Sequence, residues 1–170
     1  MKLGIVIFPS KEIQDRANNL RKRYDTNYAL IPPHITIKRA FDASETEVTD
    51  IAEQLKKIAA GIQPFPIQVT KISTFYPITN VLYLKIEPNS ELQTLHDNMY
   101  SGYFTQKQEY SFVPHITVAQ DLTNQEHADV LGRLKMKQFQ YEQTIDLFHL
   151  MYQLDDGAWT VYETFHLGKD

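Results

Sequence analysis

Residues 3 to 8 are continuously apolar and predict a buried first strand. Ser10 then stands where an N-cap belongs, and Ile13, Ala17, Leu20 and Tyr24 recur at helical spacing. After a loop from Asp25 to Tyr28, Pro32-Pro33 opens a strand from His34 to Phe41, proline being tolerated at a strand's first residue. Ser44-Glu45-Thr46-Glu47 is a capping box before Val48, Ile51, Leu55 and Ile58, and Gly61 ends that helix. Residues 65 to 75 alternate as a strand. Residues 81 to 86 form another, with Leu82, Leu84 and Ile86 on one face and Val81, Tyr83 and Lys85 on the other. Asn89 caps a helix carrying Leu92, Leu95 and Met99, ended by Gly102. A strand from Pro114 to Ala119 precedes a second capping box, Thr123-Asn124-Gln125-Glu126. A long strand over 139–154 turns at Asp155-Asp156-Gly157 into a last one, with Trp159, Val161, Phe165 and Leu167 on one face.

Helices and strands alternate, but several neighbouring strands are joined by short turns. This favours an α+β fold over a doubly wound parallel sheet. Each half reads strand, helix, strand, helix, strand. The expected architecture is therefore bilobal, with two antiparallel sheets facing across a central cleft and helices outside. No linker or low-complexity stretch divides residues 1–170, so one domain is expected.

The same tetrapeptide occurs twice, as Pro33-His34-Ile35-Thr36 and Pro114-His115-Ile116-Thr117, with the histidines 81 residues apart. On a strand, residues two apart share a face, so each His-Ile-Thr presents an imidazole beside a hydroxyl and turns its Ile to the core. The flanks repeat as well. Ile7 to Gln14 aligns with Ile86 to Gln93, and Ser44 to Lys56 with Thr123 to Lys135, both at an offset of 79 residues. We read this as duplication of one unit, with halves at approximately 1–78 and 79–170 and their polar stations meeting between the lobes. Two imidazoles facing one substrate supply a general base and a general acid near neutral pH. Thr36 and Thr117 set a neutral hydroxyl donor beside each imidazole. Lys38, two residues beyond Thr36, is expected on the same face as a candidate positive charge for binding substrate, whereas Ala119 at the matching place offers none.

Composition narrows the class. No apolar run approaches the ~20 residues that cross a bilayer. The absence of cysteine excludes disulfides, thiolate metal sites and cysteine nucleophiles, and fits a reducing cytoplasm. A net charge of −4 argues against wholesale binding of long duplex nucleic acid but leaves room for a small phosphate ester or an RNA terminus. A catalytic zinc would need three ligands, and no third His or carboxylate stands at a ligand spacing, so no metal and no cofactor are expected.

Two His-hydrophobic-Thr stations half a chain apart resemble the signature of the 2H phosphoesterases, which include the 2′-5′ RNA ligase-like proteins and cyclic nucleotide phosphodiesterases. Arg21 to Asp25, Asn80 to Tyr83, Phe112 to His115 and Trp159 to Phe165 resemble more closely the YjcG-like bacterial branch. The resemblance covers nearly the whole chain. It implies a bilobal α+β fold and metal-free hydrolysis of a cyclic or 2′,5′-linked phosphodiester of a nucleotide or RNA end, with His34, Thr36, His115 and Thr117 in the catalytic roles. Two alternatives stay open. One is a 2′,5′ RNA ligase acting through the same stations; the other is a module that binds a nucleotide or RNA terminus with little turnover.

The remaining candidates have simpler readings. His96, His127, His149 and His166 lack a matching partner and read as structural, with His127 solvated in a first helical turn. Arg16, Arg21, Lys22 and Arg23 read as a solvated face that suits a helix C-terminus, ahead of an RNA-binding patch. Phe75, Tyr76, Tyr83, Tyr110 and Phe112 read mostly as core or sheet-surface aromatics. Phe75 and Tyr83 are the candidates to line the cleft and contact a base.

Overall fold

The computed structural model describes residues 1–169. The apolar runs become β1 (Lys2–Ile7), α1 (Lys11–Tyr24), β2 (Ile35–Asp42), α2 (Glu47–Ala60), β3 (Phe65–Thr74) and β4 (Leu82–Ile86). They continue as α3 (Ser90–Asn98), β5 (His115–Ala119), α4 (Asn124–Leu134), β6 (Tyr141–Ile145), β7 (Leu147–Gln153) and β8 (Trp159–His166). Helix starts follow the capping chemistry. The Thr123–Glu126 box closes in both directions, and the Asn89 side chain accepts from Leu92 N–H. The Ser44–Glu47 box also closes, one turn before the regular helix begins. Ser10 makes no side-chain cap; its N–H donates to Gln143 Oε1 on β6 instead.

The strands form one antiparallel sheet in the order β6-β3-β4-β5-β2-β1-β7-β8. The two sheets expected from the sequence are the halves of this sheet. They join where β2 meets β5, through the pair Ile35↔Ile116. One face is buried under the helices. Leu3, Ile5, Ile7, Ile35, Leu84 and Ile116 on that face pack with Ile13, Ala17, Leu55, Leu92 and Leu95 in a common core. The alternate strand positions face the other way, and the cleft side is built from them.

Two features differ from the sequence expectation. The single strand over 139–154 is two strands, β6 pairing with β3 and β7 with β1, at opposite ends of the strand order. The change comes at Asp146. Before it the positions packed in the helix-covered core are odd-numbered, Phe139 and Ile145; after it they are even-numbered, Phe148 and Leu150. In β8, Trp159 and Val161 share one face, but Phe165 lies on the other. Leu150↔Glu163 is followed by Met151↔Val161, so an extra residue bulges out and reverses the alternation.

Candidate active site

β2 and β5 run antiparallel through Ile35↔Ile116, and both isoleucines are fully buried. Their neighbours therefore point to the opposite, cleft face, and the register sets His34 across from Thr117 and Thr36 across from His115. Histidines and threonines form the two diagonals of a four-residue patch. In an antiparallel pair such diagonal neighbours are about 7–8 Å apart. The two stations of the duplicated pattern meet, as expected, at the seam of the sheet.

Each imidazole is held the same way. His34 Nδ1 lies 2.8 Å from Pro32 O and His115 Nδ1 lies 2.6 Å from Val113 O. A carbonyl only accepts, so Nδ1–H is the donor in both rings, and Nε2 of each neutral ring keeps its lone pair for the cleft. Both side chains retain a partly exposed surface. Burial nevertheless holds both below the usual histidine range, as for rings at the floor of a concavity. Arg21 and His115 lower His34 further while Pro32 O and Asp25 oppose the shift. Arg39 lowers His115 further, against Val113 O.

The aromatic candidates meet at His115. The Phe75 ring stands edge-on to it at 5.1 Å, Tyr83 lies 5.2 Å away, and the two aromatics touch each other at 4.4 Å. Tyr83 pairs with Thr117 across β4–β5 and is 6% exposed, so it forms a wall of the site and offers little face for stacking. Phe75 is half-buried and keeps an open side.

Lys38 does not face the site. Thr36 pairs with Val6 and Lys38 with Ile5, and adjacent residues of β1 point to opposite faces, so Ile37 is a bulge that turns Lys38 into the core. There its Nζ donates to Met99 O at 2.7 Å and sits 3.9 Å from the Tyr100 ring centroid; burial lowers its pKa to about 8. The next residue, Arg39, takes the cleft side that the plain alternation assigned to Lys38. It is exposed, and its guanidinium lies over the Tyr110 ring at 4.9 Å. β5 repeats the device: Thr117 pairs with Tyr83 and Ala119 with Leu82, so Val118 is the bulge. Gln120 then matches Arg39 in position, but its Nε2 donates to Asp25 Oδ1 at 2.7 Å. The asymmetry of the site is Arg39 against Gln120, which two-residue alternation could not reveal.

The residues just before the two carbonyls that hold the imidazoles are anchored. Arg21, expected in a solvated face, is 2% exposed. It donates through Nε to Asp25 Oδ2 at 3.0 Å, through one terminal nitrogen to Asn18 Oδ1 at 2.8 Å and through the other to Ile31 O at 2.6 Å. Asp25 accepts from Asn27 N–H and from Gln120, so this ion pair ties the loop before His34 to the end of β5. On the other side His96 stacks on Phe112 at 4.1 Å, next to Val113. His127 is buried, not solvated; its Nε2 bonds Thr74 Oγ1 at 2.8 Å. His149 pairs with Val6 and so lies on the cleft face, where its Nδ1 bonds Thr164 Oγ1 at 2.8 Å. His166 is exposed. Among the described residues no three His, Cys, Asp or Glu side chains gather as metal ligands, and no helix is long and apolar enough to cross a membrane.

Comparison with known proteins agrees with this fold. A solved protein of Thermus thermophilus superposes with a TM-score of 0.72 at 18% identity over 100% of both chains. Escherichia coli LigT complexed with 3′-AMP superposes at 0.72 with 17% identity, covering 99% of this chain and 98% of LigT. A Bacillus mycoides relative bearing the name "putative phosphoesterase" is 59% identical over 100% of this chain and 99% of its own. A Bacillus cytotoxicus relative of the same description is 58% identical over 99% of this chain and 98% of its own. The family model of the 2′-5′ RNA ligase superfamily matches residues 9–157, and the chain belongs to that superfamily.

Proposed function

We propose that the protein is a metal-independent phosphoesterase that opens a cyclic, or cleaves a 2′,5′-linked, phosphodiester at a nucleotide or RNA end. The observation that carries this reading is the Ile35↔Ile116 bridge, which sets two carbonyl-anchored imidazoles and two hydroxyls on one patch. One neutral imidazole takes a proton through Nε2 from the attacking water. The water oxygen bonds to phosphorus, the ribose P–O bond breaks, and the other imidazole, protonated, gives its proton to the departing ribose oxygen. Thr36 and Thr117 donate to the non-bridging oxygens, whose charge grows in the transition state. Arg39 adds a positive charge at the rim, on the side of His115. LigT has been crystallised with 3′-AMP and with phosphate, ligands of the size this patch would take.

The pH dependence of 2′,3′-cyclic nucleotide hydrolysis tests the reading. The singly protonated pair is the working form, so kcat/KM should be bell-shaped. Burial pulls both imidazoles below their usual range, which places the maximum below pH 6.5. As pH rises from there the general acid loses its proton and activity falls. Arg39→Ala removes a charge that lowers His115 and should move a limb of the bell toward alkaline pH. A flat profile, or activity lost to a chelator and restored by zinc or manganese, would contradict the mechanism.

The bulge after Thr36 makes a separate prediction. Arg39→Ala should raise KM roughly 10-fold, the value of one charge-assisted contact. Lys38→Met should leave KM within about twofold, since its ammonium is spent on Met99 O inside the core. Steady-state kinetics of both variants decide between the two cations, and the reverse result would restore Lys38 to the site.

A further inference from the structure

The row of cross-strand partners that contains His115 does not end there. Lys85 on β4 pairs with His115, and Lys71 on β3 pairs with Lys85. Partners across a sheet share a face. A bulge at Thr70 is what brings Lys71 round to it, since Val69 pairs with Ile86 and the next pair is Lys71↔Lys85. The cleft face therefore carries His115, Lys85 and Lys71 on three successive strands. At about 4.8 Å between strands, the Lys71 backbone lies about 10 Å from that of His115 across the sheet.

Two lysines directly opposite each other repel, and this arrangement destabilises a sheet unless something neutralises it. Among the described residues neither lysine makes an ion pair or a side-chain hydrogen bond; the pairs are Lys11–Asp15, Arg21–Asp25 and His96–Asp97. The acid nearest in sequence, Glu87, accepts from Thr70 Oγ1 at 2.6 Å. Lys85 is half-buried, which makes an unanswered charge more costly than on an open surface. A repulsive cation pair beside the reacting patch is what an extended anion would satisfy.

We propose that Lys71 and Lys85 bind the phosphodiester next to the reacting one, so that the substrate is a single-stranded oligonucleotide end and not a free mononucleotide. This rests on the reading of His34 and His115 as the reacting pair. Beyond the single charge of Arg39 at the rim, the row of cations that starts beside His115 runs across β4 to β3, and the next phosphodiester would follow it. Like other phosphate contacts, the lysines would add affinity and salt dependence without reading base identity.

The test is calorimetric binding of a 3′-phosphorylated mononucleotide and a 3′-phosphorylated trinucleotide, neither of which needs turnover. The wild type should bind the trinucleotide at least 10-fold more tightly, with a steeper fall of affinity as salt rises, by roughly 0.7 in log–log slope for each added phosphate contact. Lys71→Gln/Lys85→Gln should abolish that advantage and leave mononucleotide binding unchanged. Lys56→Gln/Lys57→Gln, the same charge change on α2, should alter neither. Equal binding of both ligands by the wild type, or equal losses for both in the Lys71/Lys85 variant, would overturn the subsite while mononucleotide binding upholds the reacting pair. Absence of binding by either ligand would overturn both.

Discussion

His34→Ala and His115→Ala should each lower kcat by 10²-fold or more on a cyclic phosphodiester, with the fold intact. Each replacement removes one whole proton-transfer role, and each role is worth roughly 10²–10⁴-fold. The double variant should fall far less than the product of the two single effects, because acid and base work as a unit. Thr36→Val and Thr117→Val should cost less, roughly 10- to 100-fold, since each removes a neutral donor and leaves the imidazoles in place. The fold should tolerate all four changes. The side chains lie on the cleft face, while Ile35 and Ile116 between them hold the core. Circular dichroism and thermal melting beside the kinetics check this. Loss of activity accompanied by unfolding would place these residues in the structure and not in the chemistry.

Asp25→Ala is expected to produce the largest loss of stability, about 3–5 kcal/mol, because it leaves the Arg21 guanidinium buried without its counter-charge. The arrangement explains why more than stability is at stake. Arg21 also holds Ile31 O, one residue before the Pro32 carbonyl that fixes the His34 tautomer, and Asp25 holds Gln120 just past β5. The variant should therefore lose activity at temperatures where it is still folded. Arg21→Met combined with Asp25→Leu should be closer to the wild type in denaturant midpoint than either single change, since a buried pair replaced together leaves no orphan charge. If the single Asp25 variant melted like the wild type, the ion pair would not be the anchor described above.

The parts of the fold that were legible in the sequence are those with a local cause. The capping boxes at Ser44 and Thr123 close as written, because their hydrogen bonds span three residues. The paired His-Ile-Thr runs announced themselves because chemistry and period-two burial coincide. What was not legible came from pairing at a distance. Nothing in Thr36-Ile37-Lys38 or Thr117-Val118-Ala119 marks a bulge; it exists because β1 and β4 offer one partner fewer. That one residue exchanged Lys38 for Arg39 in the site. Another bulge, at Thr70, aligned Lys71 with Lys85. Arg21 was misplaced for another reason. Hydrophobic periodicity scores an arginine as outward-facing; its burial is tolerable because Asp25, four residues on, supplies the counter-charge and the loop folds back to offer the Ile31 carbonyl, which period counting does not register. The break at Asp146, by contrast, was present in the chain as a switch of apolar parity between Ile145 and Phe148.

On the proposed mechanism His34 and His115 converge on one phosphoryl group. Histidine-selective nitrogen NMR during a titration with inorganic phosphate measures this most directly. One phosphate per protein should shift the Nε2 signals of both rings together and raise both pKa values, since an anion between them favours their protonated forms. His34→Ala and His115→Ala should each weaken the binding. If phosphate shifted one ring alone, or bound each single variant as tightly as the wild type, the two imidazoles would not share a substrate.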